Sequence, residues 1–340
     1  MQGVFRVYGG RNAAAFLGTL AALVMLAGLG FSPVVSAQPA GVVRVGLQAS
    51  GTFSWVLHAI EYFGIDQELG LRIEARTFAT KEATELALMA GEVDVTVDDF
   101  VNVVLMRSRG IPVRAVYPYS LALGGLIVRA DSDIQSVADL RGKVIAAASL
   151  SDKSLLVLRV LAASRYGFDP QFDSETIAAA APLMMELARR GEVDAVLPFW
   201  HFAARMVASG EFREIATVHG MLDELGLSSD LPNLLIIARD DLDRATLAAF
   251  LRAVDLASER MRHDDGIWAS ILAEGLYSLP DESLMPSVRA RWEASLPRQW
   301  NDDIVRGLVE LVEQMVAVAG ADVVGTDRLD ADAFSTEFAF

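Results

Sequence analysis

Two neighbouring acids, Asp98 and Asp99, close a short apolar run, and a second polar stretch, "ASLSDKS" (148–154), sets Ser149, Ser151 and Lys153 around Asp152. Adjacent carboxylates at a strand end can hold a cation or accept hydrogen bonds from an amine. One of them also suits the N-cap of the next helix, where its charge meets the positive end of the helix dipole. That leaves the other acid to face a ligand. The Ser-Asp-Lys stretch can cap its own helix through Ser151, or it can offer free N–H groups and Lys153 to an anion. Catalytic constellations are missing. The four histidines are His58, His201, His219 and His263, and no set of ligands stands at metal-binding spacing. There is no Gly-x-Ser-x-Gly, no phosphate loop and no dinucleotide fingerprint. The chain contains no Cys, which removes thiolate catalysis and disulfides. These residues point to a binding protein without metal or cofactor, not to an enzyme.

The elements that must position them can be read from hydrophobic period and breakers. "VVRVGLQ", "LRIEARTF", "VDVTVDD" and "IPVRAVYPYS" are strand-like, and helical patterns closed by Gly70, Gly91 and Gly110 separate them. The pattern restarts at "LRGKVIAAAS" and runs through "SETIAAA", "VDAVLPF" and "FREIATV", again with helices between. "PNLLIIARDD" (232–241) is a strand leading away, and the rest is mostly helical. Alternating strands and helices predict α/β lobes built on parallel, doubly wound sheets. One repeat supports two such lobes. "LALMAGEVDVTVDDF" (86–100) and "MELARRGEVDAVLPFW" (185–200) each run from an amphipathic helix through Gly-Glu-Val-Asp into a strand and an aromatic residue. A glycine C-cap before a strand would explain either copy alone; the match of both flanks favours equivalent positions in two lobes.

Ligands in open parallel sheets sit beyond the carboxyl ends of the strands. The segments expected there are 48–55, 77–81, 97–100, 116–120, 148–154 and 197–201. They carry Phe53, Trp55, Phe78, Phe100, Tyr117, Tyr119, Phe199 and Trp200, a rich supply in a chain that is 8% aromatic. Their charge is limited to Lys81, Asp98, Asp99, Asp152 and Lys153. Rings with a carboxylate pair suit a flat heterocycle or an organic cation. The ligand-binding residues expected are Ser50, Thr52, Trp55, Phe78, Asp98, Asp99, Tyr117, Tyr119, Ser149, Ser151, Lys153, Phe199, Trp200 and His201. Trp200, Trp55 and Tyr119 lead the ring contacts, while about half of the rings should only plug strand ends.

Residues 1–37 read as a signal peptide: Arg6 and Arg11, the apolar run 16–31, then Val35-Ser36-Ala37 before Gln38. Cleavage there removes two positive charges and takes the formal balance from −16 to −18. So acidic a chain is a poor partner for nucleic acid, which needs clustered Lys and Arg. A soluble, monomeric, periplasmic product is expected.

The segment "FGIDQELGLRIEARTFATKEATELALMAGEVDVTVDDF", with "DIQSVADLRGKVIAAAS" and the closing "RLDADAFSTEF", resembles the nitrate/sulfonate/taurine and thiamine-precursor (NMT1/THI5-like) binding proteins of ABC importers. The resemblance implies a Venus-flytrap fold of the periplasmic-binding-protein type, with two lobes, two crossings near Ser120 and Pro232, and a helical tail. Lobe I would hold 42–120 plus 239–340, and lobe II 121–238. It also implies a small-molecule ligand and transient docking on an inner-membrane permease. A thiamine-type pyrimidine or related amine is the first ligand class, and an alkanesulfonate, taurine or nitrate type anion is the alternative. Pyrimidine-forming enzymes of the same superfamily share the fold but carry a Cys-rich motif and a reactive His, and this chain has no Cys.

Overall fold

The computed structural model describes residues 41–49, 51–121, 124–279 and 281–338. The leader, its cleavage motif and Ser50 lie outside the described residues. The first half builds β1 (Gly41–Gln48), α1 (Phe53–Tyr62), α2 (Ile65–Glu68), β2 (Leu71–Phe78), α3 (Lys81–Met89), β3 (Val95–Asp99), α4 (Phe100–Ser108) and β4 (Val113–Leu121). The second continues with β5 (Gly125–Arg129), β6 (Val144–Ala147), α5 (Lys153–Leu161), α6 (Pro170–Asp173), β7 (Glu175–Ala178), α7 (Ala181–Arg190), β8 (Ala195–Leu197), α8 (Trp200–Ala208), β9 (Phe212–Thr217) and α9 (Val218–Leu225). The strand β10 (Pro232–Arg239) returns to the first sheet, and α10 (Arg244–His263), α11 (Asp265–Ala273), α12 (Met285–Ala294) and α13 (Asp302–Ala319) follow.

The sheets have corresponding orders, β2-β1-β3-β10-β4 and β7-β6-β8-β5-β9. Neither is purely parallel, which corrects the sequence expectation. β10 runs antiparallel to β3 and β4, and β5 antiparallel to β8 and β9. The cause is topological: each reversed strand is the one that has just crossed from the other lobe, so it enters its sheet from the opposite end. β5 carries no sequence signal, because it is short and buried along most of its length and so shows no alternation. α9 is a further element absent from the sequence expectation; it starts directly after β9, where Thr217 Oγ1 accepts from Gly220 N at 2.9 Å.

The Gly-Glu-Val-Asp repeat has one structural meaning in both lobes. Gly91 and Gly191 take left-handed conformations, with φ of 72° and 69°. They turn the chain so that Glu92 N donates to Ala87 O and Glu192 N to Leu187 O, both 2.9 Å. Val93 and Val193 then enter the core. Each aspartate pairs with the first strand of its lobe's parallel set, β1 or β6: Asp94 N donates to Arg44 O and Asp94 Oδ2 accepts from Arg44 N, while Asp194 does the same with Val144. The two units are therefore the same helix-to-strand device in two similarly ordered sheets.

The tail touches both lobes. α10 packs on α1 and β1, α12 on α8, and α13 on α5. One apolar core runs from Phe100 and Val104 through Leu155, Val157 and Leu222 to Leu308 and Met315. Among the described residues no helix is long and apolar enough to cross a membrane.

Candidate functional site

The carboxyl ends of the two sheets meet. At the end of β3, Asp99 caps α4, accepting from Val101 N at 2.9 Å and Asn102 N at 3.1 Å through Oδ1. Its other oxygen accepts from Lys81 Nζ at 2.7 Å. Asp98 is not left free either. Its Oδ1 accepts from Asp99 N at 2.7 Å and from Asn102 Nδ2 at 3.0 Å, and it lies 2.9 Å from Lys81 Nζ. With only 2% exposure it is sealed among protein partners. The expectation that one acid of the pair would be free is thus corrected: both are occupied by Lys81 and backbone groups.

The electrostatics follow from that packing. Burial alone would raise Asp99, but Lys81, then Lys153, then the hydrogen bonds to its carboxylate hold it down at about 2. Asp98 is pushed up, first by burial and then by Asp99, against the pull of Lys81. Glu85 accepts from Asn102 Nδ2 at 3.0 Å; burial and then Asp98 raise it to about 7. Lys81 is held protonated: burial opposes its charge, and the charges of Asp99 and Asp98 overcome that. Lys81, Glu85 and Asn102 thus complete a cluster that the sequence shows only as an Asp-Asp pair.

Across from it stands lobe II's Lys153, the first residue of α5, with Nζ 3.8 Å from Asp99 Oδ2 and 3.4 Å from Ser151 O. Asp152, not Ser151, caps α5, accepting from Ser154 N at 2.9 Å and Leu155 N at 3.3 Å. Ser151 is exposed, with its hydroxyl 3.3 Å from that of Ser149. Two helices whose first turns meet here lack a side-chain cap: α1, entered at Thr52, and α8, entered at Phe199.

The rings divide. Trp55 and Trp200, 1% and 8% exposed, meet edge to face at 5.7 Å across the lobes. Tyr277 from the tail joins them, 5.0 Å from Trp55, and its hydroxyl donates to His201 O at 2.8 Å. Tyr277 lies more than two hundred residues from Trp55 and carried no sequence signal. His201 is buried, and burial followed by the Arg205 charge lowers its imidazole to about 4, so the ring is neutral. Tyr119 packs on Phe53 at 5.0 Å, with its hydroxyl 3.3 Å from Thr52 Oγ1. Tyr117 instead faces α10 and Asp255, beside a groove of about 120 Å³ bounded by Tyr119, Glu259, Arg262 and Pro297. Phe78 is half-buried under Arg76, and Phe199 is 43% exposed at the lip of lobe II. The structure therefore gathers Thr52, Trp55, Asp98, Asp99, Tyr119, Ser149, Ser151, Lys153, Phe199, Trp200 and His201 around the junction of the lobes, and turns Tyr117 away from it. Among the described residues no group of three His, Asp or Glu converges as a metal site.

The family profile described as "NMT1/THI5 like" matches residues 61–265, more than half of the chain. No curated protein sequence matches. Among solved structures, the chain is similar to the alkanesulfonate-binding protein SsuA from Xanthomonas axonopodis pv. citri bound to MOPS, at TM-score 0.66 and 18% identity over 88% of this chain and 99% of that one. It is also similar to the periplasmic aliphatic sulphonate binding protein SsuA from Escherichia coli, at 0.63 and 16% over 86% and 91%. The periplasmic nitrate-binding protein NrtA from Synechocystis PCC 6803 follows at 0.61 and 15% over 84% of each. The repeated sheet order, the two adjacent crossings and the matched profile agree: the chain belongs to the NMT1/THI5-like family and has the two-lobed α/β fold of periplasmic binding proteins.

Proposed function

We propose that this protein is the periplasmic solute-binding component of an ABC importer, capturing one small organic solute between its lobes and delivering it to an inner-membrane permease. The observation that carries this reading is the meeting of two similarly built lobes, strand end to strand end, in a chain of this family. Ligand would favour the closed lobes only through its greater affinity for them. Lobe I takes 42–120 and the return strand β10 (Pro232–Arg239), lobe II takes 121–231, and the tail is shared rather than belonging to lobe I.

For the ligand's head group, the sulfonate-type anion fits better than an organic cation. Asp98 and Asp99 already hold Lys81, so an amine would have to displace it. The first turns of α1 and α8, uncapped by side chains, and Lys153, paired with Asp99 only at 3.8 Å, can meet negative charge. The thiamine-type pyrimidine is the second reading, favoured by the exposed ring of Phe199 and by Phe78. Isothermal titration with MOPS, taurine, nitrate and an aminopyrimidine tests both. Sulfonate binding that weakens in Lys153→Ala and is unchanged or tighter in Asp98→Asn supports the first. Tight aminopyrimidine binding lost in Asp98→Asn would reverse the order. Recovery of a chemically altered ligand after many turnovers would overturn the binding role altogether and favour the pyrimidine-forming alternative.

A further inference from the structure

The described residues that flank both crossings between the lobes touch the C-terminal tail. The first runs from the end of β4 at Leu121 to the start of β5 at Gly125, the second through Leu231 into β10 at Pro232. They are neighbours, since Leu121 pairs with Pro232 in the first sheet. The last turn of α12 and its cap reach described residues on both sides of the first crossing. On the lobe I side Leu121 N donates to Ser295 O at 2.9 Å. On the lobe II side Arg291 holds Glu214 of β9 through both carboxylate oxygens, one of these bonds being 3.0 Å. That pair is mostly shielded from water, and it lies directly over Gly125, where a Cβ would come within 1.8 Å of Glu214 Oε1. The second crossing is held by α13. Leu231 is buried against Gly307, where a Cβ would stand 2.7 Å from Leu231 Cδ2. A glycine inside a helix of eighteen residues costs helix stability. Here it opens the space that Leu231 fills.

We propose that the tail is a clamp on the hinge: the Arg291–Glu214 pair and the Leu231–Gly307 contact hold the lobe angle seen in this structure, and thereby set ligand affinity without touching the ligand. The inference rests on the two-lobe binding reading above, but it is tested in the free protein. Rotation of lobe II about the crossings must part Glu214 from Arg291 or, where α12 follows lobe II through its packing on α8, part Ser295 from Leu121. Releasing the clamp lowers the fraction of molecules in the closed arrangement. Apparent affinity falls with that fraction, about tenfold if a tenth remains closed.

The chain has no Cys, so spin labels can be placed at will. Ala79→Cys and Ala180→Cys put them at exposed positions just beyond the edge strands β2 and β7. Electron–electron distance measurements on the full chain should give a narrow distribution in the parent. Glu214→Gln and Arg291→Met should broaden it towards longer distances, and Gly307→Ala should displace it. The charge swap Glu214→Arg with Arg291→Glu should restore the parent distance, which a merely structural loss would not. In the same variants the affinity for MOPS should fall by the factor by which the short-distance population falls. Distances unchanged in folded Glu214→Gln and Gly307→Ala would overturn the clamp. Failure of MOPS to bind the parent would count against the sulfonate reading alone, because the distances are read without ligand.

Discussion

Removing Lys81 should expose how much of the lobe I wall depends on one cation. In Lys81→Met the stem is kept and the charge is lost, leaving Asp98, Asp99 and Glu85 packed together with no counter-charge on their own lobe. Lys153, at 3.8 Å, remains as a weaker partner of Asp99. Breaking a buried ion pair by deleting one side costs about 3–5 kcal/mol, because the remaining charge stays desolvated. The third of the Lys81 side chain that is exposed argues for the lower end. The pH dependence gives the sharper test. Glu85 has a raised pKa of about 7, so in the parent its contribution is fully present below the usual Glu value and lost as pH rises through 7. Asp99 is depressed to about 2, so its contribution is present above the usual Asp value and lost as pH falls through 2. Without Lys81, Asp99 gives up part of that depression, and Glu85 and Asp98 are pushed further up. The stability gap between parent and variant should therefore be largest near pH 8, where Glu85 is ionised, and shrink towards pH 5, where it is neutral. Urea unfolding at pH 8, 6.5 and 5 reads this directly. A gap under about 1 kcal/mol at pH 8, the range of an exposed surface pair, or a gap independent of pH, would refute the reasoning.

Other outcomes follow from single contacts. Asp94→Ala should cost about 1.5–3 kcal/mol, since it removes charge-assisted bonds to both the Arg44 backbone and its guanidinium, and the exposed Asp194→Ala should cost less; urea midpoints in the reverse order would count against the equivalence drawn between the repeats. Trp200→Ala should cost about 3–5 kcal/mol by emptying the space against Trp55, so its melting temperature without ligand should fall; an unchanged melting temperature would place that ring outside the core. His201 is neutral in the fold down to about pH 4, so the parent should lose stability as pH falls from 6.5 towards 4, by up to about 3 kcal/mol, and His201→Leu should flatten that slope. An imidazole that titrates near 6.5 by nuclear magnetic resonance would contradict it.

How much of this was legible in the sequence depended on range. Apart from β5, α6 and α9, the strands and helices from Val42 to Arg239 are legible nearly to their ends, because period and glycine stops are local signals. The repeat at Gly91 and Gly191 exposed the two-lobe plan, since each copy uses the same αL turn and the same Asp-to-strand bond. The direction of β5 and β10 was not legible: a strand's pairing sense is set by where the chain re-enters the sheet, and no local residue pattern encodes that. Nor could the sequence show that Lys81, one helix earlier, reaches over to Asp98 and Asp99. The chemistry of the pair was read as open because its partner is distant in the chain. Tyr277 was invisible for the same reason.

The two lobes repeat their backbone but not their strand-end chemistry, and that difference bears on what the cleft can hold. After the shared Gly-Glu-Val-Asp, lobe I continues "VTVDDF" and lobe II "AVLPFW". In lobe I the aspartates satisfy the start of α4 and fix Lys81, so the wall is charged but saturated. In lobe II, Pro198 and Phe199 stand at the equivalent turn, and α8 begins with no side chain on its first N–H groups. A ligand entering between them meets one wall whose polar groups already have side-chain partners and another where the helix start has no side-chain cap. Unpaired donors at a helix start favour an acceptor, most strongly an anionic one. A saturated carboxylate cluster adds little attraction for a cation, since the cation must first break a 2.7 Å bond from Lys81. The asymmetry between two otherwise matching lobes is thus the physical ground of the proposal that the cleft takes an anionic head group, oriented towards α8 and Lys153, rather than the amine that Asp98 and Asp99 suggest when read along the chain.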